Sequence, residues 1–399
     1  MTGEDLCLAG TAVQIAALVS GRQVSAREVA TAALRRLDQV DGRLCAFRSR
    51  WPDRARRAAD AVDRAVAAGR RLPLAGVPIA VKAWDGTGSW QARRLRAAGC
   101  VPVGETAVPL PTTPWQTWGH TDRGPTVNPW RPDRTPGGSS AGSAVAVAAG
   151  VVPLATGTDG AGSLRIPAAW CGVVGLKPTN GCMPGSDPAG LRVGGPLART
   201  VIDAAAYLDA VLGTTLVRAA AEPGPSLRVV WSDTFGYAQV DPPVTAVARA
   251  AADRLAAAGG IEWIDATVRL LDPGPAWLAL REPTGAGRSV ATPVRAENDH
   301  RLAEIFAQAD LLLSPTTPGP PHGHGGPGET MNVSHTWVFN LSGHPALSVP
   351  AGLAGDGTPV GLQLVARAGA EAQLVRVAAV LERIAPWPAP GLDTLRTVP

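Results

Sequence analysis

Pro136 to Arg165 reads PGGSSAGSAVAVAAGVVPLATGTDGAGSLR, and the rest of the chain is arranged around this stretch. Two Gly/Ser-rich loops, Gly137–Ser143 (GGSSAGS) and Gly157–Ser163 (GTDGAGS), flank an apolar run. Glycine has no Cβ and tolerates positive φ, so such loops bring backbone N–H groups and hydroxyls close to a ligand. The pair predicts hydroxyl chemistry on a bound group that develops negative charge.

Working upstream, Gly76-Val77-Pro78-Ile79-Ala80-Val81-Lys82 reads as a buried strand that delivers Lys82 at its C-terminal end. Ser89 caps a helix through Ala98, Gly99 closes it, and Val101 to Val103 forms the next strand. This β-α-β unit predicts parallel strands with ligands at their C-terminal ends. Before it, helices are expected over Ala12–Val19, from the capping box at Ser25–Glu28 to about Val40, and over Asp53–Ala68. Thr106 to Arg134 has no period and reads as a long functional loop. Its Trp115, Trp118 and Trp130 either line a pocket or cover the core edge.

Downstream, strands are expected at Cys171–Leu176, Leu227–Trp231, Ile261–Ile264, Leu311–Leu313, Leu347–Val349 and Val360–Val365. Helices are expected at Val201–Leu212, Val244–Ala258, Arg295–Gln308 and Glu371–Arg383. The alternation predicts an α/β fold with a mixed central sheet between helical layers. No charge run or low-complexity linker divides the 399 residues, so one large domain over 1–399 is expected, with a helical layer at 1–70, a core at 76–200 and the remaining sheet and helices at 201–399.

The net charge of +4 is small and its charges are interspersed, which argues against nucleic-acid and membrane surfaces as partners. Five irregularly spaced cysteines, an acidic N-terminus (MTGEDLCLAG) and the lack of a transmembrane-length apolar run suggest reduced thiols and a cytoplasmic setting. Of 37 basic residues only Lys82 and Lys177 are lysine. Arginine stays protonated, whereas a desolvated lysine can become a neutral base. Simple packing is the alternative reading for both.

Several chemistries lack their usual devices. There is no phosphate-binding G-x-x-x-x-G-K-[ST] and no G-x-G-x-x-G after a strand. His322-Gly323-His324 has no carboxylate or Cys partner at ligand spacing, so no metal is expected. Gly138-Ser139-Ser140-Ala141-Gly142 fits G-x-S-x-G with Ser140 as nucleophile, but Pro129, Pro132 and Pro136 rule out the strand that must precede it.

A Ser-Ser-Lys triad uses both loops and the lysine together. Here TPGGSSAGSAVAVAAGVVPLATGTDGAGSLRIPAAWCGVVGLKPTNG closely resembles the amidase signature family. The resemblance continues in LPLAGVPIAVK, GPLARTVIDAAAYLDAVLG, DLLLSPTTP and NLSGHPALSVPAG. It implies Ser163 as nucleophile, Ser139 as the proton relay after a cis peptide, Lys82 as base, and the backbone N–H groups of Gly160, Ala161, Gly162 and Ser163 as oxyanion hole. The GLKPT segment of the family implies a structural role for Lys177. The chemistry is coherent, because a serine hydroxyl needs a base and N–H donors stabilise a tetrahedral oxyanion by about 2.7–4 kcal/mol each.

The expected reaction is hydrolysis of an amide on a small-molecule amide or acyl substrate, through a Ser163 acyl-enzyme and without a cofactor. Ser140, Trp115 and Trp118 are candidate substrate contacts, and a homodimer is compatible with the sequence. Acyl transfer to an amine, an amidotransferase-type subunit and a non-catalytic relative are alternatives. The chain also departs from the family pattern. Ala161 and Ala141 replace glycines, and if position 161 required positive φ, alanine would cost about 1–2 kcal/mol. Ala83 replaces the acid that usually follows the lysine, about 20 residues are missing between Lys82 and the next helix, and Arg281–Arg295 is abbreviated. Both short segments flank the expected entrance.

Overall fold

Short buried runs alternate with Ala-rich amphipathic segments, and the computed structural model shows how they layer. It describes residues 10–392 except 114, 186, 223 and 282–286; the acidic start of the chain, with Cys7, lies outside them. The strands are β1 (Phe47–Arg50), β2 (Pro78–Lys82), β3 (Val101–Thr106), β4 (His120–Thr121), β5 (Gly124–Pro125), β6 (Leu154–Asp159), β7 (Val174–Lys177), β8 (Val193–Ala198), β9 (Leu227–Trp231), β10 (Ile261–Trp263), β11 (Leu311–Pro315), β12 (Ala346–Leu353) and β13 (Pro359–Ala366). Eleven of them form one mixed sheet in the order β1-β3-β2-β6-β8-β7-β12-β13-β11-β9-β10, and β4 pairs with β5 as a small hairpin.

The expected β-α-β unit is present: β2 and β3 pair in parallel, joined through helix Trp90–Ala97 with Ser89 as its cap. β6 lies parallel to β2 on the other side, so Lys82 and Asp159 end their strands at the same edge. β13, an interior strand between β12 and β11, is buried along its whole length, as a near-continuous apolar strand covered on both faces must be. The capping box at Ser25 forms as expected, with Ser25 and Glu28 satisfying each other's backbone N–H groups.

Three differences bear on the site. Residues 157–159 belong to β6, so the second glycine-rich loop shrinks to Gly160–Ser163. Gly157 is required inside the strand because a Cβ there would meet Leu164 and the Ser140 hydroxyl. Likewise the first loop is shorter than Gly137–Ser143, because the helix that follows it already starts at Ala141. Third, the strand expected from Cys171 begins only at Val174, because Arg165–Cys171 is a helix that Gly172 ends at φ 65°. Farther off, the helix expected from Arg295 starts at Arg288 and carries Pro293 inside it. Among the described residues no helix is long and apolar enough to cross a membrane, and Cys45, Cys100, Cys171 and Cys182 are free thiols.

Candidate active site

Lys82 closes β2 with its side chain fully buried. Its Nζ lies 2.9 Å from Ser139 Oγ, 2.9 Å from Ser140 Oγ and 2.8 Å from Thr158 Oγ1. Hydroxyls both donate and accept, so this cage can solvate an ammonium or offer a proton to a neutral amine. Burial brings the Lys82 pKa down from 10.5 to about 8; Asp85 and Asp159 oppose the shift and the charge of Arg192 adds to it. Lys177, also fully buried, donates instead to the carbonyls of His344 and Pro178.

The first loop positions its serines through close backbone approach. The Gly138–Ser139 peptide is cis, and the backbone of Trp118 fills the space beside Gly138, where a Cβ would clash. Ser140 stands at the N-cap of helix Ala141–Ala148, buried against Lys82 rather than facing the entrance. Ala141 fits because Gly119 lies opposite: a Cβ on Gly119 would come within 2.6 Å of the Ala141 methyl.

The second loop is held from beneath by Asp159 and Arg165, both fully buried. Asp159 accepts from the N–H groups of Gly162 (2.7 Å) and Leu164 (3.2 Å) and from Asn340 Nδ2 (2.9 Å). Arg165 grips the same carboxylate through Nε (3.0 Å) and Nη2 (2.9 Å). Its remaining donors reach Thr336 O, Gln363 Oε1 and Asn340 Oδ1 at 2.7–3.0 Å. All guanidinium donors are therefore used, which offsets the cost of burying the pair.

This cradle revises the expected set of oxyanion donors. The Gly162 N–H is committed to Asp159, which removes it from the set. Gly160, Ala161 and Ser163 donate to no described residue through their backbone N–H groups. Positive φ is carried by Gly162 at 118°, not by Ala161, so the penalty considered for alanine does not arise. A Cβ on Gly162 would collide with the Thr336 hydroxyl, which donates to Ala161 O. Ser163 is half-buried and its hydroxyl has no partner among the described residues.

Around the entrance, Trp84 stands in the short segment after Lys82, its ring 5.3 Å from Lys82 Nζ. Trp277 donates from Nε1 to Gly160 O at 2.7 Å. The tryptophans of the long loop are placed differently. Trp115 packs on Gly326, Trp118 donates to Thr113 Oγ1 and meets His120 edge-on, and Trp130 donates to Cys171 O. Only the backbone of Trp118 reaches the serine loop. His322 pairs with Thr117 Oγ1 and His324 with Pro132 O, and the described residues contain no cluster able to hold a metal ion.

Asp159, Arg165, Thr158, Thr336 and Trp277 were not singled out from the sequence. A charged pair inside an otherwise small and apolar stretch was the available signal for the first two, since charges are buried only when paired.

Comparison with known proteins places this site among relatives. The family described as Amidase matches residues 86–292 and 278–375. The chain is 35% identical to a putative amidase, AmiB2, of Mycobacterium tuberculosis, covering 97% of this chain and 98% of that one. It is 34% identical to an acylamidase of Rhodococcus erythropolis, covering 94% and 96%. The solved structure of a bacterial aryl acylamidase of the amidase signature family superposes with a TM-score of 0.83 at 27% identity, covering 94% of this chain and 96% of that chain.

Proposed function

The chain belongs to the amidase signature family and is an amide-hydrolysing enzyme, and from that premise we propose that it works through a Ser163 acyl-enzyme, with Ser139 as proton relay and Lys82 as base. The observation that carries this reading is the contact between Lys82 Nζ and Ser139 Oγ, 2.9 Å apart in a buried hydroxyl cage beside the Ser163 loop.

Lys82 is neutral in the active form, and burial makes that form accessible near pH 8. As Ser163 Oγ attacks the substrate carbonyl, its proton passes to Ser139 Oγ while the Ser139 proton passes to Lys82 Nζ. The carbonyl oxygen becomes an oxyanion facing the N–H groups of Gly160, Ala161 and Ser163. Collapse breaks the C–N bond as the relay runs backwards and protonates the leaving amine. Water then attacks the ester by the same relay and releases the acid. Substrate binding closes the link from Ser163 to Ser139, in keeping with the looser catalytic contacts of unliganded enzymes.

Labelling with a neutral alkyl fluorophosphonate tests the assignment. Ser163→Ala is expected to abolish labelling and turnover, while Ser140→Ala keeps labelling at Ser163 at a reduced rate, because Lys82 loses one hydroxyl of its cage. Labelling found on Ser140, or none in the wild type, refutes the triad.

A further inference from the structure

The entrance of the site has an unbalanced charge. Arg192 is exposed, and its Cβ, Cα and Cγ pass 3.6–3.9 Å from the point where a side chain on Gly160 would begin. Gly160 opens the loop that ends at Ser163, so Arg192 springs from beside that loop, and its charge is felt at Lys82. Its backbone is anchored: Asp187 accepts from the N–H groups of Leu191 (2.9 Å) and Arg192 (2.7 Å), which fixes the turn from which the side chain springs. The guanidinium itself makes no hydrogen bond or ion pair with any described residue.

A second cation reaches the same loop through a tryptophan. Trp277, bonded to Gly160 O, carries the exposed Arg281 on its ring, with the guanidinium carbon 4.7 Å from the centroid. Arg281 likewise forms no ion pair among the described residues. Two arginines thus stand near Gly160 with no hydrogen-bond or ion-pair partner for their guanidinium groups among the described residues.

Among the described residues the nearby acids do not neutralise them. Asp187 is occupied by the backbone N–H groups of its own turn, and Asp159 by Arg165 beneath the loop. Asp85 is drawn inward, 3.4 Å from Gln91 Nε2, and burial raises its pKa despite Lys82 and Arg192. Arg192 also disfavours the charged form of Lys82, which places its field on the catalytic base itself. Arg192 has no partner for its guanidinium among the described residues, and its planar fork matches a carboxylate in two parallel hydrogen bonds.

We propose that the substrate carries a carboxylate on the same small molecule as its scissile amide, held by Arg192 with Arg281 as the outer cation. This rests on Ser163 being the nucleophile of the site. Binding an anion there also neutralises the charge that Arg192 projects toward Lys82, so the anionic substrate and the base are electrostatically coupled.

The test measures how well simple amides protect the enzyme from a neutral alkyl fluorophosphonate. Succinamate and glutaramate serve as anionic probes, and butyramide and pentanamide as their neutral counterparts. The wild type is expected to be half-protected by at least one anionic amide at a concentration about tenfold lower than by its neutral counterpart, the effect of about one charge-assisted contact. Arg192→Gln should bring that ratio close to one and Arg192→Glu should reverse it, while the neutral amides protect all three proteins alike. In the wild type, 0.5 M salt should shrink the ratio without any substitution. Equal protection by anionic and neutral amides, or a preference that survives both salt and Arg192→Glu, overturns the proposal. A wild type that is not labelled at all refutes instead the nucleophile assignment on which it rests.

Discussion

Asp159 and Arg165, six residues apart, form an ion pair at 2.9 Å with no solvent exposure of either side chain, directly beneath the loop that bears Ser163. Burial alone would raise the Asp159 carboxyl, but Arg165, Lys177 and Asn340 hold it well below the usual carboxylate range. The pair therefore acts as a fixed floor: one carboxylate oxygen bonds the Gly162 N–H and the other the Leu164 N–H. Arg165→Met leaves the Asp159 carboxylate buried without its cation, and is expected to cost about 3–5 kcal/mol of stability, the range for breaking a buried pair. Chemical denaturation measures that loss, and kcat should fall at temperatures where the variant remains folded.

The two residues before Ser163 should respond in opposite ways to exchange. Gly162→Ala forces a side chain into positive φ and into Thr336, so loss of activity with at least about 2 kcal/mol of destabilisation is expected. Ala161→Gly relieves no strain, because Ala161 already has an ordinary φ, and should lower stability by about 0.4–1 kcal/mol through the freer unfolded chain. Thermal unfolding of the two variants checks both signs; a stabilised Ala161→Gly protein would contradict this account.

The pH dependence of kcat/KM should follow Lys82. Activity requires the neutral amine, so it rises with pH along a limb centred near 8. Asp85→Asn removes a charge that favours the ammonium and should move the limb to lower pH, whereas Arg192→Gln should move it higher. Lys82→Arg is expected to be as inactive as Lys82→Met, since arginine supplies charge but no base. Activity in Lys82→Arg, or shifts of the same sign in the other two variants, contradicts the assignment.

Away from the site, Glu382 and Asp203 should make stability fall as pH rises. Burial, with Asp203 nearby, lifts Glu382 from 4.5 to about 7, and burial lifts Asp203 from 3.8 to about 6. Both groups hold their protons more tightly in the native state, so their contribution is complete below about pH 4 and disappears as pH passes through 6–7. Glu382→Gln retains an acceptor for the Val201 N–H and should flatten the fall, by about 3 kcal/mol at most. Melting temperatures from pH 4 to 8 provide the comparison.

Much of this was legible in local pattern. Strands such as β2 and β11 announce themselves because a short apolar run must be buried on both faces, and the capping box at Ser25 is a local hydrogen-bond device. β6 was not legible, because LATGTD has the composition of a loop, and only packing against Leu164 and Ser140 makes Gly157 a strand residue. The exchange of roles between positions 161 and 162 escaped for a related reason: which residue takes positive φ depends on where Thr336 stands, far along the chain, and on Asp159, whose carboxylate is oriented by Arg165 and Asn340.

The sequence by itself determined the α/β class and, through its resemblance to the amidase signature family, pointed to Lys82, Ser139 and Ser163 as the proposed trio, because alternating apolar runs and a long contiguous motif are properties of the chain read in order. Tertiary structure alone decided that Lys82 sits in a cage of three hydroxyls, that Gly162 is tied to Asp159, and that Arg192 and Arg281, without ion-pair partners among the described residues, stand near Gly160. Those facts depend on distances between residues as much as 121 positions apart, such as Gly160 and Arg281, and such distances arise only when the sheet closes and the low-dielectric interior assigns each buried charge its partner.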